Sequence, residues 1–443
     1  MAQKYNYSQI FKVAYPIFLT LLVQNLIQVT STAFLGHVGE VELGASAIAG
    51  IFYIVLFMLA FGFSTGSQIL IGRRNGEEEH HKIGEIVVHG SLFLFALALI
   101  LFFFTRTYSE TILGNLLSSK NVLEAASGYL DRRIYGLFFS VVNVMFRAFY
   151  VGTTNTKVLS LNALLMALVN VFLDYTLIFG NWGFPKMGIT GAAIASVASE
   201  AASVLFFIIY TVTTVDLKKY GFTMIRFKNL RVIKNILNIS FSLMIQYFLS
   251  LGTWLFFFLA IEHMGEMPLA VSNVVRSVYM IISIPIFALG ATTNTLVSNT
   301  IGSGNKDDVI PLLRRISRMS LLVTGILIIP AALFPGLVLS IYSSNPELIN
   351  ASIPSLYVIL AALPVIAVAS VFFNSVSGSG NTRTALIIEI VTLGIYVSYM
   401  WLVTTYLKAS LAVCWTTEPV YWGGIFIWSY IYMKRGHWQN RKI

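Results

Sequence analysis

The sequence has 443 residues, of which 57% are hydrophobic and only 11% charged, with a mean hydropathy of +0.78. A soluble domain carries about 25% charged residues, so a water-soluble enzyme is excluded. Cys414 is the only cysteine, which excludes an intrachain disulfide scaffold. The net charge of +10 reads as membrane orientation rather than as a nucleic-acid footprint.

A bilayer-spanning helix takes about 20 apolar residues. Apolar runs of that size fall at 10–36, 45–72, 87–105, 134–152, 158–180, 188–214, 233–261, 269–301, 319–343, 353–378, 385–407 and 409–433. The chain is therefore expected to be an all-α polytopic membrane protein with twelve transmembrane helices, because helices satisfy their own backbone hydrogen bonds in lipid. The first run is preceded by a polar start, Met1 to Lys12, with no cleavable signal peptide in view. Its Pro16 removes a backbone donor and marks either a hinge or a fixed kink. The longest connection, 106–133, is too short for a separate soluble domain.

With the amino terminus inside, 21 lysines and arginines fall on the cytoplasmic side, from Lys4 and Lys12 through Arg226, Lys228 and Arg231 to Arg441 and Lys442. Six fall outside, among them Arg132, Arg133 and Lys186, and two, Arg147 and Arg276, lie within helices. That asymmetry follows the positive-inside rule and places both termini in the cytoplasm.

The chain repeats itself. HVGEVELGAS at 37–46 aligns without a gap, at an offset of 226, with HMGEMPLAVS at 263–272. The same offset pairs Gly76 with Gly302, Gly152 with Gly378 and Asn155 with Asn381. Six helices per repeat is an even number, so the halves share one orientation, a parallel duplication of the kind found in transporters. The expected organisation is two parallel-repeat six-helix bundles, 1–214 and 233–433, joined by a basic cytoplasmic linker at 215–232, with a cytoplasmic tail at 434–443.

No phosphate-binding G-x-x-x-x-G-K-[ST] loop is present, so transport would run on an ion gradient or the substrate's own gradient. No cofactor is expected, and no clustered Cys/His spacing suggests zinc. His80 and His81, beside Glu77, Glu78 and Glu79, read as a solvated loop.

Charges inside hydrocarbon are costly and normally face a cavity or a partner. Asp174, Glu200, Glu389 and Glu418 fall within predicted helices. Asn170 lies one turn before Asp174 and shares its face, with Ser196, Ser199 and Glu200 on the next helix. Such oxygens suit a hard monovalent cation, Na+ at Asp174, or a transferred proton; a helix-locking hydrogen bond is the plainer reading. Glu200 is open to pairing with Arg147, and Glu389 and Glu418 read as structural. Gln24, Gln28 and Thr32 are too polar to face lipid and are assigned to a substrate cavity. Arg276 either meets anionic substrate groups or forms a structural ion pair.

The segment NVFLDYTLIFGNWGFPKMGITGAA at 170–193 resembles the fifth-to-sixth helix signature of the multidrug and toxic compound extrusion (MATE) family. LGHVGEVELGA at 35–45 and GSGNTRT at 378–384 resemble its first inter-helix loop and its tenth-to-eleventh helix connection. The resemblance runs the length of the chain. It implies a secondary antiporter that exports organic, chiefly cationic, amphipathic compounds in exchange for Na+ or H+. It also implies a monomer in a bacterial inner membrane, with a small-molecule substrate and the lipid bilayer as its only partners. In one branch of the family, the cation-site asparagine and aspartate match Asn170 and Asp174, and its carbonyl and hydroxyl ligands match Ala192 and Ser196. Where the family has a first-helix aspartate, five residues before the closing glycine, this chain has Ser31. Another branch's second-bundle acids look absent: the seventh-helix position corresponds to Ser250, and 353–378 holds no acid. The alternative function within the wider superfamily is a flippase for a lipid-linked precursor, using Arg147 and Arg276.

Overall fold

A computed structural model describes residues 5–117, 119–223 and 230–440, apart from the side chains at 230 and 440. Part of the expected linker, part of the expected tail, and Lys4, Arg226, Lys228, Arg441 and Lys442 lie outside the described residues.

Fifteen helices follow in order among the described residues. They are α1 (Tyr7–Gly36), α2 (Glu40–Gly76), α3 (Ile83–Leu116), α4 (Lys120–Arg133), α5 (Gly136–Gly152), α6 (Lys157–Phe179), α7 (Ile189–Thr214) and α8 (Leu230–Glu262). The rest are α9 (Glu266–Gly302), α10 (Val309–Leu333), α11 (Pro335–Ser340), α12 (Pro346–Gly378), α13 (Thr382–Trp401), α14 (Leu411–Cys414) and α15 (Thr417–Arg435). Ten helical segments among the described residues are long and apolar enough to cross a membrane. The α4–α5 pair, bent by 52°, makes an eleventh, and the 19-residue α15 completes the twelve-helix layout.

The repeat reaches the helix boundaries. Both α2 and α9 are 37 residues long, and adding 226 to the ends of α2 gives those of α9. The short 3-10 turns His80–Lys82 and Lys306–Asp308, and the starts of α3 and α10, keep the same register. So do the closing residues of α1 and α8, Gly36 and Glu262.

The stretch 106–133, read as a connection, is instead mostly helical. The α3 helix continues to Leu116, and α4 begins one residue after Ser119, whose hydroxyl accepts from the Val122 N–H at 3.5 Å. The physical reason is amphipathicity. The sequence KNVLEAASGYLDRR is too polar to register as a span, yet Ala126 and Leu130 are fully buried one turn apart.

The chain forms two compact units, Leu19–Met244 and Met1–Phe18 with Ile245–Ile443. Each takes in the opening residues of the other half's first long helix. In the second unit Phe257, Val275, Leu356, Leu363 and Trp415 form the centre of a buried apolar cluster. The Trp415 ring meets Phe257 edge-on at 5.0 Å, and its indole N–H donates to Ser272 Oγ at 3.3 Å.

Within the first unit, α6 and α7 approach closely at Gly191. A Cβ there would sit 2.7 Å from the Leu177 carbonyl oxygen, and small residues are what allow such approaches in membranes. Gly191→Val is therefore expected to reduce the yield of monodisperse protein severalfold on fluorescence-detected size exclusion. Wild-type yield would show that the α6–α7 contact tolerates spreading.

Candidate functional site

The α6 helix carries Asn170 and Asp174 on one buried face, 1% and 0% exposed. From α1, the Ser31 hydroxyl lies 2.5 Å from Asp174 Oδ2 and 3.3 Å from Asn170 Oδ1. Asp174 Oδ1 is buried with no hydrogen-bond partner among the described residues. Ser31, which stands where the family has a first-helix aspartate, thus gives Asp174 its one side-chain hydrogen bond among the described residues. A bond to a charged acceptor contributes about 1.5–3 kcal/mol, while an unpartnered buried oxygen costs about 1–3 kcal/mol or more. Asp174 is therefore half satisfied.

The structure does not bring every expected ligand to this point. Ser196 is half-buried on α7; its carbonyl accepts from the Ser199 hydroxyl at 2.8 Å, and its own hydroxyl makes no bond to Asp174. Ala192, 3% exposed, lies in the first turn of α7, where its N–H donates to the Gly188 carbonyl at 3.3 Å.

Glu200 pairs with Arg133, not with Arg147. The guanidinium donates to both carboxylate oxygens, at 2.6 and 2.9 Å, and stacks over the Tyr53 ring at 3.8 Å. Arg133, placed outside by the sequence, is only 12% exposed and its partner 7%. The network continues through Asn143, which donates to the Glu200 carbonyl at 3.1 Å and accepts from Ser203 at 2.8 Å. Asn162 then donates to Ser203 at 2.8 Å. Here the buried charge is matched by a counter-charge and both carboxylate oxygens are bonded, in contrast to Asp174, although Asn162 Oδ1 at the end of the network is left without a partner among the described residues.

Gln24, Gln28 and Thr32 form one exposed row on α1, four residues apart. In the second unit, Arg276 is half-buried and lies 5.0 Å from the centre of the Phe258 ring. It forms no ion pair with a carboxylate among the described residues. Arg147 lies over the Phe61 ring, also at 5.0 Å.

The remaining buried acids sit in the second unit. Glu389 accepts from Ser250 at 2.5 Å and from the Tyr421 phenol at 2.8 Å, both on Oε1. Glu418 accepts from the Trp254 indole at 3.3 Å on one oxygen and from the Tyr279 phenol at 3.2 Å on the other. Near the α2–α3 turn, Glu79 pairs with Lys82 at 2.5 Å and with Arg74 at 3.2 Å. The hydrogen bond from Lys82 holds the Glu79 carboxyl below the usual carboxylate range. Among the described residues no three histidine, cysteine or acidic side chains are grouped to hold a metal ion.

A duplicated twelve-helix membrane chain has the architecture of a transporter. The MatE family profile matches residues 16–176 and 239–402, and the chain belongs to that family of multidrug-export transporters. It is 25% identical over 388 residues to the probable multidrug resistance protein NorM of Thermotoga maritima, covering 87% of this chain and 82% of that protein. It is 24% identical to the probable multidrug resistance protein YoeA of Bacillus subtilis, covering 91% and 88%. In fold it matches a MOP superfamily transporter from Pyrococcus furiosus, with a TM-score of 0.87, 18% identity and 98% and 96% coverage. The eukaryotic MATE transporter AtDTX14 matches with a TM-score of 0.87, 19% identity and the same coverage.

Proposed function

We propose that the protein is a secondary antiporter that exports organic, chiefly cationic, amphipathic compounds in exchange for Na+ or H+, and that Asp174 is the element both species use. The observation that carries this reading is the pairing of full burial with one unpartnered carboxylate oxygen at Asp174. Adding a proton or a sodium ion removes the uncompensated charge; releasing it restores the attraction for a cationic substrate. An ion drives transport only through a difference in its affinity between two states of the protein. Asn170 and Ser31 complete the site, with Ser196 and the Ala192 carbonyl entering it if α7 moves relative to α6. Glu200 stands outside it, its charge held by Arg133. Gln24, Gln28 and Thr32 offer amide and hydroxyl groups to the substrate, and Arg276 discriminates among charged ones.

In this reading the protein works as a monomer in a bacterial inner membrane, with both termini cytoplasmic and the halves 1–214 and 233–433 acting as the two moving parts. The test is ethidium efflux from de-energised, efflux-deficient bacterial cells given an inward sodium gradient or, separately, an inward proton gradient. Efflux at least severalfold above vector controls under one gradient only is the expected result and names the coupling ion. No efflux under either, with the protein verified in the membrane, would overturn the proposal. Flipping of an anionic lipid-linked precursor, with Arg276 meeting the head group, would then take its place.

A further inference from the structure

We infer that Glu389 is a second ion-exchange site, and that the ion it carries is a proton. Glu389 lies on α13, is 0% exposed, and has no lysine, arginine or histidine paired with it among the described residues. An ionised carboxylate without a counter-charge is far more costly to bury than a neutral acid.

Its bonding repeats the pattern at Asp174. In each unit a serine on a long helix donates at 2.5 Å to one oxygen of a carboxylate on another helix. In each, the second oxygen, Asp174 Oδ1 or Glu389 Oε2, is buried with no hydrogen-bond partner among the described residues. Glu418, equally devoid of a cation, differs because donors reach both of its oxygens; it is an anchor for α8, α9 and α15. Glu389 is the acid in this unit with an unfilled atom.

The neighbours decide between a proton and a metal cation. Ser250 and Tyr421 both donate to Oε1, and beyond them only the Gln246 carbonyl oxygen, 3.0 Å from the Ser250 hydroxyl, joins the set among the described residues. That leaves too few outward-facing oxygens for a hard cation, which takes about six or more. A proton needs only Oε2. The carboxylate becomes a carboxylic acid on loading, and the proton leaves to water on release, with no other reactant.

The titratable groups around Glu389 are Tyr421 and Glu418 on α15 and Tyr396 on α13 itself, whose ring lies 5.8 Å from that of Tyr421. Beyond Glu418, α9 supplies Tyr279 and Arg276. The α8 helix contributes Ser250 and Trp254, and α12 has no titratable residue after Tyr357, which donates to the Ala332 carbonyl. No cation among these is placed to hold Glu389 ionised.

The place of Glu389 in a transport cycle rests on the antiport reading above, but its protonation does not, and two measurements separate them. Infrared spectra of the protein in liposomes at neutral pH should show a buried carboxylic-acid carbonyl band that shifts in D2O. Glu389→Gln should lose that component, Asp174→Asn should keep it, and Tyr421→Phe, which removes one donor to Oε1, should move it. In weakly buffered detergent solution with a pH-sensitive dye, binding of tetraphenylphosphonium should release about one proton fewer from Glu389→Gln than from wild type. A carbonyl band untouched by Glu389→Gln, or abolished by NaCl but not by KCl, would overturn the proton assignment. A band lost in Glu389→Gln with unchanged proton release would overturn the exchange role and leave a fixed hydrogen bond. Failure of wild type to bind tetraphenylphosphonium would count against the antiport reading alone, and the infrared result would then decide for Glu389.

Discussion

Asp174→Asn is expected to reduce gradient-driven ethidium efflux to the level of vector controls while leaving membrane yield and size-exclusion profile unchanged. Asparagine keeps the shape and can still meet Ser31 and Asn170, so the packing of α1 against α6 survives. What disappears is the change of charge. Coupling between two ligands at one protein is typically about 1–3 kcal/mol, or about 5–150-fold in affinity, and a side chain that never ionises cannot supply it. Substrate binding should weaken and lose its dependence on the coupling ion, which isothermal titration with and without that ion would read directly. Efflux at the wild-type rate would remove Asp174 from the mechanism. Loss of folded protein would instead mark the residue as a helix clamp.

The second large effect concerns stability. Arg133→Met leaves Glu200 buried and unpaired. Removing one partner of a buried ion pair costs about 3–5 kcal/mol, whereas replacing both by apolar side chains is often neutral or stabilising. The single variant is therefore expected to lose most of its folded population in detergent, and Arg133→Met with Glu200→Leu to regain it. Thermal aggregation followed by size exclusion would rank the three proteins. Efflux by the double variant would then separate a structural pair from a coupling group, because an apolar pair carries no ion. A double variant as unstable as the single one would show that the Asn143–Ser203–Asn162 network depends on the Glu200 backbone being held by charge.

Most of the fold is legible because its signals are local. A glycine, a glutamate and a serine in register at 37–46 and 263–272 announce the duplication, and long apolar runs announce the helices. The α4 helix escapes because it is amphipathic. Arg132 and Arg133 look like loop charges in a list of residues, and nothing local says that Glu200, 67 positions away, neutralises Arg133. The face shared by Asn170 and Asp174 is readable from helical periodicity. That Ser31 reaches it is not, since the two helices lie over 130 residues apart in sequence. Glu389 is the clearest omission. Ser250 stands where another branch of the family has an acid, and the helix packing carries the carboxyl of Glu389 to that serine from α13.

The shared boundaries of α2 and α9 bear on how such a chain tolerates change. Side chains in the two copies differ widely, with Gln68 matched in sequence to Asn294 and Gly66 to Thr292 at the offset, while the number of residues between the ends is the same. A substitution alters one contact. An inserted residue turns everything beyond it by about 100° and advances it by 1.5 Å, rotating lipid-facing groups inward and buried hydroxyls toward the acyl chains. In α2 and α9 length is the shared quantity, and composition the one that differs.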